Sequence, residues 1–291
     1  MTDDDVAEIA ARDARTVVVV GGAGAVGTML VDLWRADGAA VEVVDAASGD
    51  DVASPDTVVT ELLRRADVVV LAVPEDVALT AVGAVRATMK PEAVLVETLS
   101  VKSRFSAAVA GAAEPVVGVN PMFAPSLDMR GRAVAVVVHH GGPAADVVLA
   151  DLARWGARVQ VTTADRHDRV CAALQALTHA AVLAFGWALT DLGVDPDEAA
   201  ALATPPFATM SALLARVTGG TPEVYRDVQL ANPYASAARD ALVRAVSRVS
   251  DAAVGDIDDF AALLARARVP LGDRADDYAA LCARLFEDTV R

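Results

Sequence analysis

An α/β domain followed by an all-helical domain is the fold class this sequence predicts, on three observations. Short β-branched runs alternate with stretches of helical length from residue 16 to about 161, and the runs stop after Asp165. Those runs are nearly continuous in apolar residues, as in strands of a parallel sheet covered on both faces. The 291 residues are 54% hydrophobic and 22% charged, so a sizeable core is available. Aromatics are only 4%, so that core is built mainly from Ala, Val and Leu.

Taken in order, the expected strands are 16–20, 41–45, 67–73, 93–97, 115–119, 133–138 and 158–161. Amphipathic or alanine-rich stretches such as 26–36 and 57–65 lie between them and read as crossover helices. From Asp165 onward the pattern is helical, broken by Gly193–Pro196, Pro205-Pro206, Gly219–Pro222 and Pro270–Gly272. The expected division is therefore a domain of residues 1–164 and a helical domain of residues 165–291. Residues 170–190 contain no Asp, Glu, Lys or Arg and have the length of a membrane span. With Gln175, Thr178 and His179 inside it, the stretch reads as a helix buried in protein on all sides.

The first strand leads into Gly21-Gly22-Ala23-Gly24-Ala25-Val26-Gly27 and then an apolar helix. Gly22, Gly24 and Gly27 have the G-x-G-x-x-G spacing: a tight turn, a bare backbone for a pyrophosphate, and a close helix-to-strand approach. The amides of Ala25 and Val26, at the helix start, add donors and a favourable dipole for phosphates. The second strand ends at Asp45, 18 residues beyond Gly27, where a carboxylate accepts hydrogen bonds from a ribose diol. Ala46-Ala47-Ser48 follows with no arginine for a 2′-phosphate, which favours NAD over NADP. A Rossmann-type NAD-binding domain is the expectation, with Val73 and Pro74 after the third strand also against the cofactor.

Net charge is −15, which disfavours nucleic acid and anionic membrane as partners. Cys171 and Cys282 are far apart, and no His, Cys, Asp or Glu spacing indicates a metal. The start, Met1-Thr2-Asp3-Asp4-Asp5, lacks a basic segment followed by an apolar run, so a cytoplasmic protein is expected. Lysine occurs only at Lys90 and Lys102.

Further landmarks are Ala66–Pro74, Glu97-Thr98-Leu99-Ser100-Val101-Lys102 and Gly118-Val119-Asn120-Pro121-Met122-Phe123-Ala124-Pro125. Trp155-Gly156-Ala157, His167-Asp168, Gln175-Ala176-Leu177-Thr178-His179 and Ala215-Arg216 follow. Together these resemble the prephenate/arogenate dehydrogenase family from residue 16 to about 285. The resemblance implies NAD-dependent oxidative decarboxylation of a cyclohexadienyl dicarboxylate. Hydride leaves ring C4, CO₂ leaves C1, and aromatisation drives the reaction, so the protein chiefly positions its reactants. It also implies a homodimer formed through the helical domain, which would suit the uncharged stretch 170–190.

The family's His-Pro-Met-Phe-Gly-Pro motif carries a histidine that acts as base toward the C4 hydroxyl. Here that position is Asn120 and the glycine is Ala124, and an amide takes up no proton near neutral pH. Three explanations stand side by side. The chain is a non-catalytic NAD-binding relative; or another residue, such as His179, serves as base for prephenate or arogenate; or the substrate carries an amine at C4. The third is the expected one. A neutral nitrogen lone pair stabilises the developing cation better than a hydroxyl oxygen, and the amide carbonyl is a neutral partner for the amine. A branch of the family does this with 4-amino-4-deoxyprephenate, giving 4-aminophenylpyruvate for p-aminophenylalanine in actinobacterial antibiotic pathways.

The same resemblance places Ser100 near the nicotinamide and the C4 substituent, and pairs Arg216 with the ring carboxylate, a role suited to a bidentate, permanently charged guanidinium. Gln175 and His179, four apart on one helical face, are expected on the substrate side. Lys102 reads as structural, His167-Asp168 as capping and interdomain structure, and His139-His140 as a surface loop. Thr204-Pro205 and Asn232-Pro233 read as turns. The β-hydroxyacid dehydrogenases, similar in layout, use a lysine from their helical part, and this chain has none after Lys102.

Overall fold

The computed structural model describes residues 15–287; the segment Met1-Thr2-Asp3-Asp4-Asp5 lies outside them. Valine-rich runs form seven strands: β1 (Thr16–Val20), β2 (Ala40–Val44), β3 (Val68–Leu71), β4 (Val94–Glu97), β5 (Val116–Pro121), β6 (Ala133–His140) and β7 (Arg158–Thr162). They make one sheet in the order β2-β1-β3-β4-β5-β6-β7. Every neighbouring pair is parallel except β5 and β6, which run antiparallel with Asn120 opposite Ala135. The parallel sheet expected from the apolar runs is thus present, with one antiparallel exception at β6. No helix separates β5 from β6, so the chain returns without a crossover.

Crossover helices α1 (Ala25–Ala36), α2 (Thr57–Arg65), α3 (Glu75–Thr88), α4 (Ser103–Ala108) and α5 (Pro143–Arg154) cover the sheet. Val18 and Val20 of β1 pack into one buried cluster with Leu63, Val85 and Phe105. Val17 and Val19 pack into another with Leu30, Trp34 and Leu152. Alternation along a single strand therefore feeds two cores, which is why the strands read as unbroken apolar runs. Asp151, fully buried, ties the second core together: it accepts hydrogen bonds from Arg15 (2.8 Å) and from the Trp34 indole (3.0 Å).

Of the described residues, 15–170 form one compact unit and 171–287 a second. A first helix, α6 (Ala164–Cys171), continues through a π-helical stretch (Ala172–Leu177) into α7 (Thr178–Leu192). The second unit adds α8 (Pro196–Ala201), α9 (Pro205–Thr218), α10 (Pro222–Leu230), α11 (Ala235–Val254), α12 (Ile257–Arg268) and α13 (Ala275–Glu287). Thr204, Asp195 and Asp256 cap their helices through side-chain oxygens, and Asn232 Oδ1 accepts from the Tyr234 amide at 2.9 Å. Thr204-Pro205 and Asn232-Pro233 accordingly shape the backbone.

The uncharged stretch is not buried on all sides within this chain. Of the most apolar window in Ala164–Leu192, a helix long and apolar enough to cross a membrane, 22% is buried. The second unit has a small core, Ala176, Val228 and Ala235, and leaves Trp187 (73% exposed), Leu192, Leu202, Val243 and Ile257 open. At Gly186, α7 approaches α9 closely: a Cβ there would stand 2.7 Å from the Leu214 methyls.

Candidate active site

The strand order reverses at β1, and the connections after β1 and β3 lead to helices on opposite faces of the sheet, which leaves a crevice open to ligands at the carboxyl ends. A cleft of about 710 Å³ occupies this place, lined by Gly21, Ala23, Gly24, Asp45, Asp50, Asp51, Val73 and Pro74 among others. Of the residues expected at a cofactor, Gly24, Asp45, Val73 and Pro74 are in its wall. Ala25 and Val26 open α1, whose start carries no side-chain cap, so first-turn amides are free to meet an anion.

The glycines divide their labour differently from the expectation. The tight turn is made by Gly21, at φ +80°, whose Cβ would lie 2.3 Å from the Ala72 carbonyl oxygen. Gly22, expected to make that turn, has no positive φ and instead lies against Val43. The loop starts one residue earlier because Gly21 N donates to Val44 O, extending the β1–β2 pairing to the turn. Gly27 is where helix meets loop: a Cβ there would stand 2.1 Å from the Gly21 carbonyl oxygen.

Asp45 holds this loop from β2. Its Oδ2 accepts from the Ala23 amide (2.9 Å) and its Oδ1 from the Ala47 amide (3.0 Å). Each carboxylate oxygen has a further lone pair for a ribose hydroxyl. Asp50 and Asp51 lie in the same wall, which holds no lysine or arginine. The donor set fits a ribose diol and repels a 2′-phosphate, so the cleft fits NAD and disfavours NADP.

Past β4 and β5, at the same carboxyl edge, lie two linked groups of polar side chains. In the first, Glu97 is fully buried and accepts from Lys102 Nζ (2.8 Å) and the Leu99 amide (2.7 Å), with His139 Nε2 at 3.2 Å. Lys102 is fully buried too, so its ammonium is committed to structure, as expected. His139 is corrected: with His140 it belongs to β6, and its side chain is only 2% exposed, beside Phe105. The antiparallel β6 carries it inward, a pairing that spacing did not reveal.

In the second group, Asn120 is 4% exposed at the end of β5, with its Nδ2 3.0 Å from His167 Nε2. His167 Nδ1 is 2.8 Å from Asp168 Oδ1. Asp168 also accepts from the amides of Lys102 and Ser103, both at 2.9 Å, and from Ser103 Oγ. Burial pushes the Asp168 carboxyl up, but the hydrogen bonds from His167, Ser103 and the two amides outweigh it and hold the group below the ordinary range. Ser100, three residues beyond Glu97 in the loop after β4, is half-buried. His167 and Asp168 are thus more than a cap: they join Asn120 to the start of α4.

In the second unit, Gln175 lies within the π-helical stretch and His179 in the first turn of α7, both half-buried. The wider π turn departs from the regular α-helical face that their spacing predicted; such turns are frequent at functional sites. The His179 ring meets Tyr225 edge-on, centroids 4.9 Å apart, and its Nδ1 is buried with no partner among the described residues. Burial, with the nearby Arg216 cation second, holds its pKa below 6.5, so the ring is neutral at pH 7. Arg216 is exposed and makes no salt bridge among the described residues. Among them, too, no group of three or more His, Cys, Asp or Glu could hold a metal.

Over 282 residues the chain is 49% identical to a 4-amino-4-deoxyprephenate dehydrogenase of Streptomyces pristinaespiralis, spanning 92% of this chain and 95% of that one. This chain belongs to the prephenate dehydrogenase family. The family model for the prephenate dehydrogenase dimerization domain matches residues 163–266. In fold, this member is similar to the arogenate dehydrogenase of Synechocystis, with TM-score 0.64, 19% identity and coverage of 90% of this chain and 99% of that one. It is likewise similar to the prephenate dehydrogenase of A. aeolicus in complex with hydroxyphenyl propionate and NAD⁺, with TM-score 0.66, 16% identity and coverage of 88% and 98%. In this family member Asn120 is buried against His167. Glu97 and His167-Asp168 stood within landmark motifs of the sequence, but nothing local showed that they are buried together, and His139 carried no signal at all.

Proposed function

We propose that this chain catalyses the NAD-dependent oxidative decarboxylation of 4-amino-4-deoxyprephenate to 4-aminophenylpyruvate, supplying p-aminophenylalanine for antibiotic biosynthesis. Asn120 carries the reading: the buried amide offers hydrogen bonds but takes up no proton. NAD, when bound, accepts the hydride leaving ring C4. Gly24, the α1 amides of Ala25 and Val26, Asp45, Val73 and Pro74 hold and orient that cofactor, with Gly22 and Gly27 shaping the loop.

At the ring, the amine lone pair supplies the electron density that a hydroxyl supplies only when a base draws its proton away. Asn120 accepts a hydrogen bond from the amine and holds it in place, with Ser100 beside the same substituent. Loss of CO₂ from C1 returns an electron pair to the ring and leaves a neutral aniline, so no protein group needs to take a proton. Arg216, exposed and unpaired among the described residues, binds the ring carboxylate; its grip must relax as CO₂ forms, so it serves binding more than rate. Gln175 and the neutral His179 complete the substrate side.

The functional division follows the last strand. Residues 1–164 bind NAD and residues 165–291 supply substrate contacts and a homodimer interface, to which the open apolar side chains Trp187, Leu192 and Val243 contribute. An acidic cytoplasmic enzyme of net charge −15, with no nucleic-acid or membrane partner, fits this reading. A second reading, prephenate or arogenate as substrate with His179 as base, is favoured by the unpartnered Nδ1 of that ring. NADH absorbance on both substrates separates the two. Faster turnover of the amino substrate is expected; equal or faster turnover of prephenate overturns the proposal, and turnover of neither leaves a non-catalytic NAD-binding relative.

A further inference from the structure

The chain Asn120–His167–Asp168 has a direction. Four donors are aimed at the Asp168 carboxylate: two backbone amides, a hydroxyl and the His167 ring. A carboxylate can only accept, so the ring nitrogen facing it, Nδ1, carries the proton. In a neutral imidazole the other nitrogen, Nε2, is then an acceptor, and the group opposite it must donate. Asn120 meets it with Nδ2, at 3.0 Å. The other end of the amide, Oδ1, has no partner among the described residues.

We propose that His167 is a positioning residue: held by Asp168 with its proton on Nδ1, it fixes the Asn120 amide so that Oδ1 is presented to the C4 amine as an acceptor. This rests on the substrate reading above. The alternative rotamer, turned by half a revolution, would present two N–H donors to the amine, which has hydrogens of its own to give, and would disfavour it. A hydroxyl at C4 would suffer less, because its oxygen can accept. Buried carboxylates that hold an imidazole in one tautomer act in this manner elsewhere. The pair therefore sets substrate preference without touching the substrate.

The test uses full-length protein with saturating NAD, assayed on 4-amino-4-deoxyprephenate and on prephenate. Asp168→Asn places an amide where the carboxylate was; its N–H can donate to Nδ1, move the ring proton to Nε2 and turn the Asn120 amide over. The expected result is that the ratio of kcat/KM, amino substrate over prephenate, falls about tenfold or more, the scale of one misdirected hydrogen bond. His167→Leu removes the restraint and lowers the same ratio. Variants that lose both activities in equal proportion, with the ratio unchanged, overturn the proposal, because a merely structural pair acts on both substrates alike. Should neither variant fold, ¹⁵N NMR of histidine-labelled wild-type protein decides: His167 Nδ1 protonated and Nε2 bare supports the proposal, and a proton on Nε2 overturns it. Wild-type preference for prephenate would instead overturn the substrate reading, and the NMR result would still judge whether His167 orients the amide.

Discussion

Asn120→His returns an imidazole to the end of β5, and its consequences follow from what surrounds the amide. The position is 4% exposed, so the larger ring must displace neighbours, and overpacking of this kind costs about 1–3 kcal/mol of stability. One ring nitrogen can donate to His167 Nε2, as Nδ2 does now at 3.0 Å, leaving the other as a free base toward C4. A positioned base contributes about 10²–10⁴-fold to a rate. The lower end applies here, since the new ring must share its orientation with His167, and we expect kcat/KM for prephenate to rise about 10²-fold. The amino substrate loses its carbonyl acceptor and slows by about tenfold, the worth of one hydrogen bond. The assay is initial-rate NADH absorbance on both substrates, with thermal melting and NAD titration to confirm an intact fold. Unchanged prephenate turnover in a folded, NAD-competent variant would refute the claim that the residue at this position decides the C4 chemistry.

Three other outcomes follow from the same geometry. Gly27→Ala puts a methyl 2.1 Å from the Gly21 carbonyl oxygen, so the loop must move; we expect NAD affinity, read by fluorescence titration, to fall by about tenfold or more, at a stability cost of about 1–3 kcal/mol. Arg216→Gln removes a charged partner for the ring carboxylate and should raise KM by about 10- to 100-fold with a smaller change in kcat, whereas a fall in kcat alone would assign Arg216 to the chemical step. In an NMR pH titration, His179 should remain neutral as pH falls through 6.5 and protonate only below it, because burial and then Arg216 oppose the cation. Arg216→Gln should move that midpoint upward, and a wild-type midpoint above 6.5 would contradict the environment described.

Much was legible along the chain because the rules that govern it are local. Period and composition place β1 at Thr16–Val20 and α1 after the glycine loop, and the close helix-to-loop approach at Gly27 is carried by residue type and spacing. Asn120 stood out because it replaces the histidine of a recognisable motif, in which Ala124 also replaces the glycine. What depended on tertiary structure was everything decided by a partner distant in sequence. The reversal of β6 arises from hairpin-like pairing with β5 and turns His139 from an expected loop residue into a neighbour of Glu97, 42 positions away. The tight turn moved to Gly21 because Val44 of another strand captures its amide. His167 and Asp168 gained meaning only when folding set them against Asn120 and the start of α4, 47 and 65 positions away along the chain for the nearest pairs. The stretch 170–190, uncharged and therefore expected in the interior, turned out to lie largely at the surface of its own unit. Hydrophobicity says that a face must be covered, but whether the cover comes from the same chain depends on how its helices pack.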